Sequence, residues 1–132
     1  MQLRTFPASL AVLVVAIAVV NFFAHTYYWY RLFFWFDMMM HFAGGAWLSG
    51  VAIWWQGRKL APETVVTFKT LVLVGVGTAL AIGVLWEGYE VIVGVVVEGR
   101  VNALADTLSD IFFDTLGAVL VVAMVVRKHL VL

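Results

Sequence analysis

The sequence lacks cysteine altogether, and only 12% of its 132 residues are charged. Without cysteine the chain cannot form disulfide bonds, thiolate zinc sites or cysteine nucleophiles, so a bound metal would need oxygen or imidazole ligands. Soluble domains draw about a quarter of their residues from Asp, Glu, Lys and Arg, and the shortage of charge therefore argues against a soluble domain. Eight basic residues balance eight acidic ones, so net charge gives no reason to expect binding of nucleic acid.

Apolar side chains take the place of the missing charge. Hydrophobic residues make up 64% of the chain, and its mean hydropathy is +1.03, which is more apolar surface than a core of this size could bury. We therefore predict an integral membrane protein of the all-α class, with one transmembrane domain over residues 1–132. Four stretches reach the roughly 20 apolar residues that a membrane-spanning helix needs. They predict a four-helix bundle with helices at about residues 6–30, 33–56, 65–97 and 101–126.

The basic residues predict the orientation of these helices, because Lys and Arg near span ends prefer the cytoplasm. If the N-terminus is cytoplasmic, six basic residues fall on the inner side and only Arg31 and Arg100 on the outer side. We therefore expect both termini in the cytoplasm and a multi-pass protein of the cytoplasmic membrane, in contact with the lipid bilayer. A signal peptide is the alternative for the first stretch, although no clean small-x-small cleavage site follows it. The six inner residues are Arg4, Arg58, Lys59, Lys69, Arg127 and Lys128.

Under this topology every acidic residue except Glu63 lies in the outer half of the protein. Residues three or four apart share one face of a helix, and this spacing joins most of the acids into three polar stripes. Lipid offers carboxylates no partner, so the three stripes should face one another inside the bundle. The stripes are Asp37 with His41 on the second helix, Glu87 with Glu90 on the third, and Asp106 with Asp110 and Asp114 on the fourth.

Carboxylates this close in a low-dielectric bundle cannot all remain ionised without a positive partner. The partner could be a bound cation, shared protons, or Arg31 and Arg100 folded over the mouth of the site. Carboxylates with one imidazole suit a divalent cation, either Mg²⁺, Mn²⁺ or Ca²⁺, or Zn²⁺ or Fe²⁺ through His41. We expect Glu87 or Glu90 to act as the catalytic base on a metal-activated water. The other predicted roles are metal ligands at Asp37, His41, Asp106, Asp110 and Asp114, and substrate-binding residues at Arg31, Trp86 and Arg100.

Structural roles compete with these functional ones. Asp37 and Asp106 stand where helices start, and the helix macrodipole alone favours an acid there. His41 could be a hydrogen-bonded interior histidine, and Trp86 could serve packing only. Ideal helical rotation places Asp114 about 80° around from Asp106, which leaves open whether Asp114 joins the site or lies below it.

In three spaced motifs the sequence resembles the YjdF-like family of small inner-membrane proteins. The motifs are Asp37-x-x-x-His41, Glu87-x-x-Glu90 and Asp106-x-x-x-Asp110. Their Asp/His–Glu–Asp arrangement is also similar to the broader VanZ-like family, named for a teicoplanin-resistance protein. The resemblance covers about residues 33–122. It implies a bacterial or archaeal membrane protein whose polar residues meet between helices, with the six motif residues as the family-type positions.

The leading functional prediction is a metal-dependent hydrolase that acts on a lipid-linked or amphipathic substrate at the outer half of the bilayer. A cation- or proton-coupled transporter is the second hypothesis, and four short helices would require a homo-oligomer for it. The near absence of ionisable residues from the inner halves of the helices speaks against a continuous transport path. A third hypothesis is a non-enzymatic envelope accessory protein that binds cell-wall lipid precursors and uses the acids only structurally.

Overall fold

The computed structural model describes residues 5–61, 64, 66–93 and 103–130, and its regular elements in these ranges are all helical. The all-α prediction is therefore confirmed for this part of the chain. The described residues do not include Arg4, Glu63, Glu98 or Arg100, all of which the predicted topology places. The elements are α1 (Ala8–Thr26), α2 (Trp29–Leu32), α3 (Phe36–Lys59), α4 (Phe68–Leu71), a π-helical segment (Val72–Val76), α5 (Gly77–Val93) and α6 (Ala103–Leu130).

Within the described ranges, three helical stretches are long and apolar enough to cross a membrane, namely Ala8–Thr26, Phe68–Ile92 and Leu104–Lys128. They support the prediction of a membrane protein. Helix α3 has 24 residues but is not among the three, because polar side chains such as Asp37 and His41 lower its hydropathy. The four-helix membrane bundle and the cytoplasmic position of both termini stay predictions.

The ends of the helices differ from the predicted boundaries for local reasons. Helix α1 ends at Thr26 because Tyr28 adopts a left-handed backbone conformation, with φ of 59°, that turns the chain into α2. Helix α4 begins at Phe68, where the Thr67 hydroxyl accepts a 3.2 Å hydrogen bond from the Thr70 amide and caps the first turn. Helix α6 continues to Leu130, past the expected end at residue 126. The predicted boundaries at residues 97 and 101 lie outside the described residues.

The closest helix contact joins α3 and α6 at two glycines. A Cβ atom on Gly45 would overlap the backbone carbonyl of Asp114, and one on Gly117 would overlap the carbonyl of Phe42. One turn further along, the Ser49 hydroxyl donates a 3.3 Å hydrogen bond to the carbonyl of Ala118. Small residues allow this backbone approach, which is a common way for helices to associate where lipid removes the hydrophobic driving force.

The contacts also fix the relative directions of the helices. The contacting residues advance together along both helices, from Phe42 on α3 with Gly117 on α6 to Ser49 with Ala118. Helices α3 and α6 therefore run parallel. Helix α5 runs the other way, because a Cβ on Gly83 would approach Asp114 whereas one on Gly75 would approach Val122. The acidic end of each helix therefore lies at the same end of the molecule.

The distribution of large apolar side chains fits a chain that is surrounded by lipid. The buried hydrophobic cluster between α3, α4 and α6 has only Ile53, Leu71 and Val122 at its centre. Many large side chains elsewhere face outward, with Phe34 79% and Ile92 85% exposed. An outer surface this apolar is unstable in water but needs no polar partner in a bilayer.

Replacing Gly117 with alanine should weaken the contact between α3 and α6. The new methyl group would overlap the Phe42 carbonyl, and overpacking of this kind typically costs about 1–3 kcal/mol. Gly88→Ala is the matched control, since a Cβ there meets nothing within 4 Å and the change should be neutral or slightly stabilising. Thermal unfolding in detergent micelles measures both. Equal melting temperatures for the two variants would contradict the close contact.

Candidate metal centre

The imidazole of His41 lies at the centre of the polar cluster, and its two nitrogens have different surroundings. Nδ1 is 3.2 Å from Oδ2 of Asp114, which is hydrogen-bonding distance. Nε2 is 3.7 Å from Oδ1 of Asp37 and 3.9 Å from Oδ2 of Asp110, beyond the length of a good hydrogen bond. The side chains of His41 and Asp110 are only 10% and 3% exposed. The cluster is therefore shielded from solvent and asymmetric about the ring.

Local sequence and the glycine contacts together build this arrangement. Asp37 and His41 are four residues apart on α3, and Asp110 and Asp114 are four residues apart on α6, so each pair shares one helix face. The parallel packing of the two helices brings the pairs together. Helix α5 leaves room for Asp114 at Gly83, where a Cβ would lie 2.6 Å from Oδ2 of Asp114.

The atoms around Nε2 of His41 could hold a metal ion. One ligand atom each from Asp37, His41 and Asp110 lie within 4.8 Å of one another, so a single ion could contact all three. The hydrogen bond between Nδ1 and Asp114 is the usual second interaction of a metal-binding histidine, because it fixes the tautomer and aims the other nitrogen at the metal. Asp114 therefore joins the cluster, on the side of the ring that faces away from Asp37 and Asp110.

Two glutamates of α5 border this cluster. Glu87 is 7% exposed, and its Oε1 atom is buried without a hydrogen-bond partner in the described part of the chain. Glu90 is half-buried and accepts a 2.9 Å hydrogen bond from the indole Nε1 of Trp86. Its carboxylate lies within electrostatic range of Glu87, Asp37 and His41. The three predicted stripes thus meet, and Glu87 is the glutamate with an unsatisfied buried oxygen.

Tyr30 is a neighbour of the cluster that the sequence analysis missed. Burial and the nearby carboxylates of Asp37 and Glu90 raise the pKa of its phenol to about 12. The phenol therefore stays protonated, and it donates a 2.7 Å hydrogen bond to Oδ1 of Asn21 on α1. Tyr30 belongs to a run of aromatic residues that is typical of a membrane interface, and this composition concealed its position beside the acids.

The remaining predicted site residues lie further out. Asp106 is half-buried in the first turn of α6, outside the group formed by Asp37, His41 and Asp110. Trp86 is 50% exposed and touches the site through its bond to Glu90. Arg31 is exposed on α2. The roles predicted for these residues stay predictions, as does that of Arg100.

The fold and the cluster define an all-helical membrane protein with a buried carboxylate–histidine group between its helices. The chain belongs to the DUF2238 family, described as "Predicted membrane protein", whose model matches residues 2–130. No curated protein and no solved structure matches the chain. The family supports the membrane character of the whole chain and assigns no chemistry to the cluster.

Replacing Gly83 with alanine should displace the Asp114 carboxylate from His41. The added Cβ would lie 2.6 Å from Oδ2 of Asp114, which is the oxygen that contacts Nδ1. We expect the imidazole ¹⁵N resonances of His41 to shift in an NMR spectrum of the micellar protein, with His41→Gln used for assignment. Gly88→Ala, also on α5, should leave them in place. An unshifted His41 signal in Gly83→Ala would contradict the described packing.

Proposed function

We propose that this protein binds one divalent cation through Asp37, His41 Nε2 and Asp110, with Asp114 as the residue that orients the imidazole. The observation that carries the proposal is the approach of three ligand atoms to within 4.8 Å while a buried carboxylate occupies the opposite ring nitrogen. Two parallel helices supply all four side chains. The predicted topology assigns the site to the outer half of a four-helix bundle in the cytoplasmic membrane.

Electrostatics supports a cation at this position. Asp37, Asp110 and Asp114 surround a single imidazole, so negative charge remains in excess even when His41 is protonated. The carboxylate of Glu87 adds to that excess when it is ionised. Burying unbalanced charge is costly, and a divalent cation between Asp37 and Asp110 offsets it where the acids are densest.

The donor set favours Zn²⁺, Fe²⁺ or Mn²⁺ over the other candidates. Ca²⁺ and Mg²⁺ bind almost entirely to oxygen, whereas an imidazole suits zinc and iron, and carboxylates suit manganese. Two carboxylates with one imidazole leave coordination positions open for water or substrate, as catalytic sites require.

Hydrolysis of a lipid-linked or amphipathic substrate is the activity that these residues fit best. A bound divalent cation activates water at neutral pH and polarises carbonyl or phosphoryl oxygens. Oε1 of Glu87, buried and without a hydrogen-bond partner in the described part, is suited to accept a proton from that water. Trp86 holds Glu90 by its indole N–H, so Glu90 is better suited to orient a substrate. Arg31 is a candidate for contact with an anionic headgroup.

This proposal retains the likeness to YjdF-like proteins and a bacterial or archaeal inner membrane as its setting. A cation-coupled transporter, assembled as a homo-oligomer, and an accessory protein for cell-wall lipid precursors would use the same acids. Both are distinguished from a hydrolase by experiment, since a transporter binds the cation without turnover and an accessory protein needs no cation.

The metal proposal is tested on the full-length protein in detergent, washed with chelator and then loaded separately with Zn²⁺, Mn²⁺ or Fe²⁺. We expect close to one bound ion per chain by elemental analysis. Asp37→Asn and Asp110→Asn should abolish binding, and Asp114→Asn should weaken it by about 10–100-fold because it removes a second-sphere partner. Glu90→Gln is the control, since Glu90 is not a proposed ligand, and this variant should bind normally. Equal amounts of bound metal in Asp110→Asn and the parent protein, at equal thermal stability, would contradict the proposal.

The hydrolase proposal is tested with Glu87→Gln on the metal-loaded protein. Loss of a general base typically lowers kcat by about 10²–10⁴-fold, and the bound metal should remain because Glu87 is not a proposed ligand. Turnover is measured on a panel of phosphorylated and esterified lipids in mixed micelles. Glu90→Gln is the control on the same helix, with a smaller expected effect. Metal binding without any turnover by the parent protein would favour a transporter instead.

A further inference from the structure

A cavity lies at the end of the molecule opposite the His41 cluster. It has a volume of about 630 Å³, is partly open, and is lined by the last turns of α3, the residues that follow α3, α4 with the π-helical segment, and α6. Along α6, Asp110 and Val126 are 16 residues apart, which corresponds to about 24 Å of helix. Its walls are mainly apolar and include Ile53, Leu60, Leu71, Val74, Val125 and Val126. The cavity is therefore separate from the proposed metal centre.

Each helix that lines this cavity carries basic residues next to its lining residues in the sequence. Arg58 and Lys59 stand between the lining residues Gly57 and Leu60. Lys69 stands between the lining residues Phe68 and Thr70, and Arg127 follows the lining residue Val126. All these cations are exposed, as is Lys128.

The described acids lie at the other end of the helices, so this end is basic among the described residues. These acids are Asp37, Glu87, Glu90, Asp106, Asp110 and Asp114.

Two of these cations stack on tryptophan rings. The guanidinium of Arg58 lies 5.1 Å from the ring centre of Trp54, and the ammonium of Lys59 lies 5.1 Å from that of Trp55. Tryptophan is enriched at the boundary between hydrocarbon and headgroups. We therefore expect the cations stacked on these rings to lie near the phosphate groups of a bilayer.

We propose that this cavity binds an acyl chain of an anionic phospholipid, whose phosphate lies among the basic side chains around it. The volume is within the range of about 300–1,000 Å³ that is typical of small-molecule sites. Apolar walls suit an acyl chain, whereas a peptide segment would leave backbone amide groups unsatisfied. The excess of cations matches an anionic headgroup and gives no advantage to a zwitterionic one.

The test uses the full-length protein, delipidated in detergent and equilibrated with phosphatidylglycerol and phosphatidylcholine at equal mole fraction. Native mass spectrometry then counts each lipid that remains bound. We expect at least about fivefold more phosphatidylglycerol than phosphatidylcholine, since one Lys or Arg near the surface contributes a factor of that size. Free inorganic phosphate in excess should not displace the lipid, because the acyl chain supplies part of the binding. Equal retention of both lipids, or displacement by phosphate, would overturn the proposal.

Two pairs of variants locate the binding site. Val126→Trp fills the cavity and should reduce phosphatidylglycerol to the level of phosphatidylcholine, whereas Val119→Trp, at a 47% exposed position of the same helix, should not. Lys69→Gln should lower phosphatidylglycerol retention by about fivefold, whereas Lys69→Arg, which keeps the positive charge, should leave it unchanged. The Lys69 pair alone decides the matter if Val126→Trp does not fold.

Two results would contradict the site. Unchanged lipid retention in both Val126→Trp and Lys69→Gln would show that the lipid binds elsewhere. A loss of oligomeric mass in Val126→Trp with unchanged lipid would show that the cavity receives a second copy of the chain. These variants leave the residues of the metal centre unchanged, so metal loading should be normal. The metal proposal and the lipid proposal are therefore tested independently.

Discussion

The close contact of α3 with α6 is the constraint on which the rest of the structure depends. Gly45 and Gly117 let the two backbones touch at the level of Asp114 and Phe42. At this separation, carboxylates projecting from α6 reach an imidazole on α3 without long side chains. If the two helices crossed further apart, the aspartates of α6 would not reach the imidazole on α3. They would then be exposed to lipid, which offers them no partner. The helix contact and the polar cluster therefore require each other, since the acids are tolerable only where the glycines bring them together.

Much of this organisation could be predicted from the sequence because lipid makes hydrophobic runs and misplaced acids conspicuous. The spacing of Asp37 with His41 and of Asp110 with Asp114 correctly indicated shared helix faces. Spacing could not decide between Asp106 and Asp114, because that choice depends on how far α6 is rotated against α3. Glycine contacts between the two helices set this rotation, and the residue spacing within one helix does not reveal it. Tyr30 was missed for a related reason, since an aromatic run at an interface gives no sign of which ring turns inward.

Charge divides the described part of the molecule into two ends with different chemistry. The six described acids lie at one end of the helices, and five exposed cations lie at the other. Between the two ends, small and apolar residues form the contacts between helices. The buried hydroxyl of Ser49 donates a hydrogen bond to a backbone carbonyl there. The acidic end offers carboxylate and imidazole groups, whereas most of the described cations lie at the basic end. The described part of the chain thus presents chemically different surfaces at its two ends.

The π-helical segment Val72–Val76 sets the rotational phase of the helix that carries the glutamates. A π-turn closes its hydrogen bond over one residue more than an α-turn, and one residue corresponds to about 100° of rotation around the axis. The face that α4 turns toward Ile53 is therefore offset from the face that α5 turns toward Asp114. In a regular helix of the same sequence, Gly83 and Glu87 would point to a different neighbour. The extra residue in the π-turn thus rotates α5 relative to α4, and this rotation decides which side chains each end of the helix turns toward its neighbours.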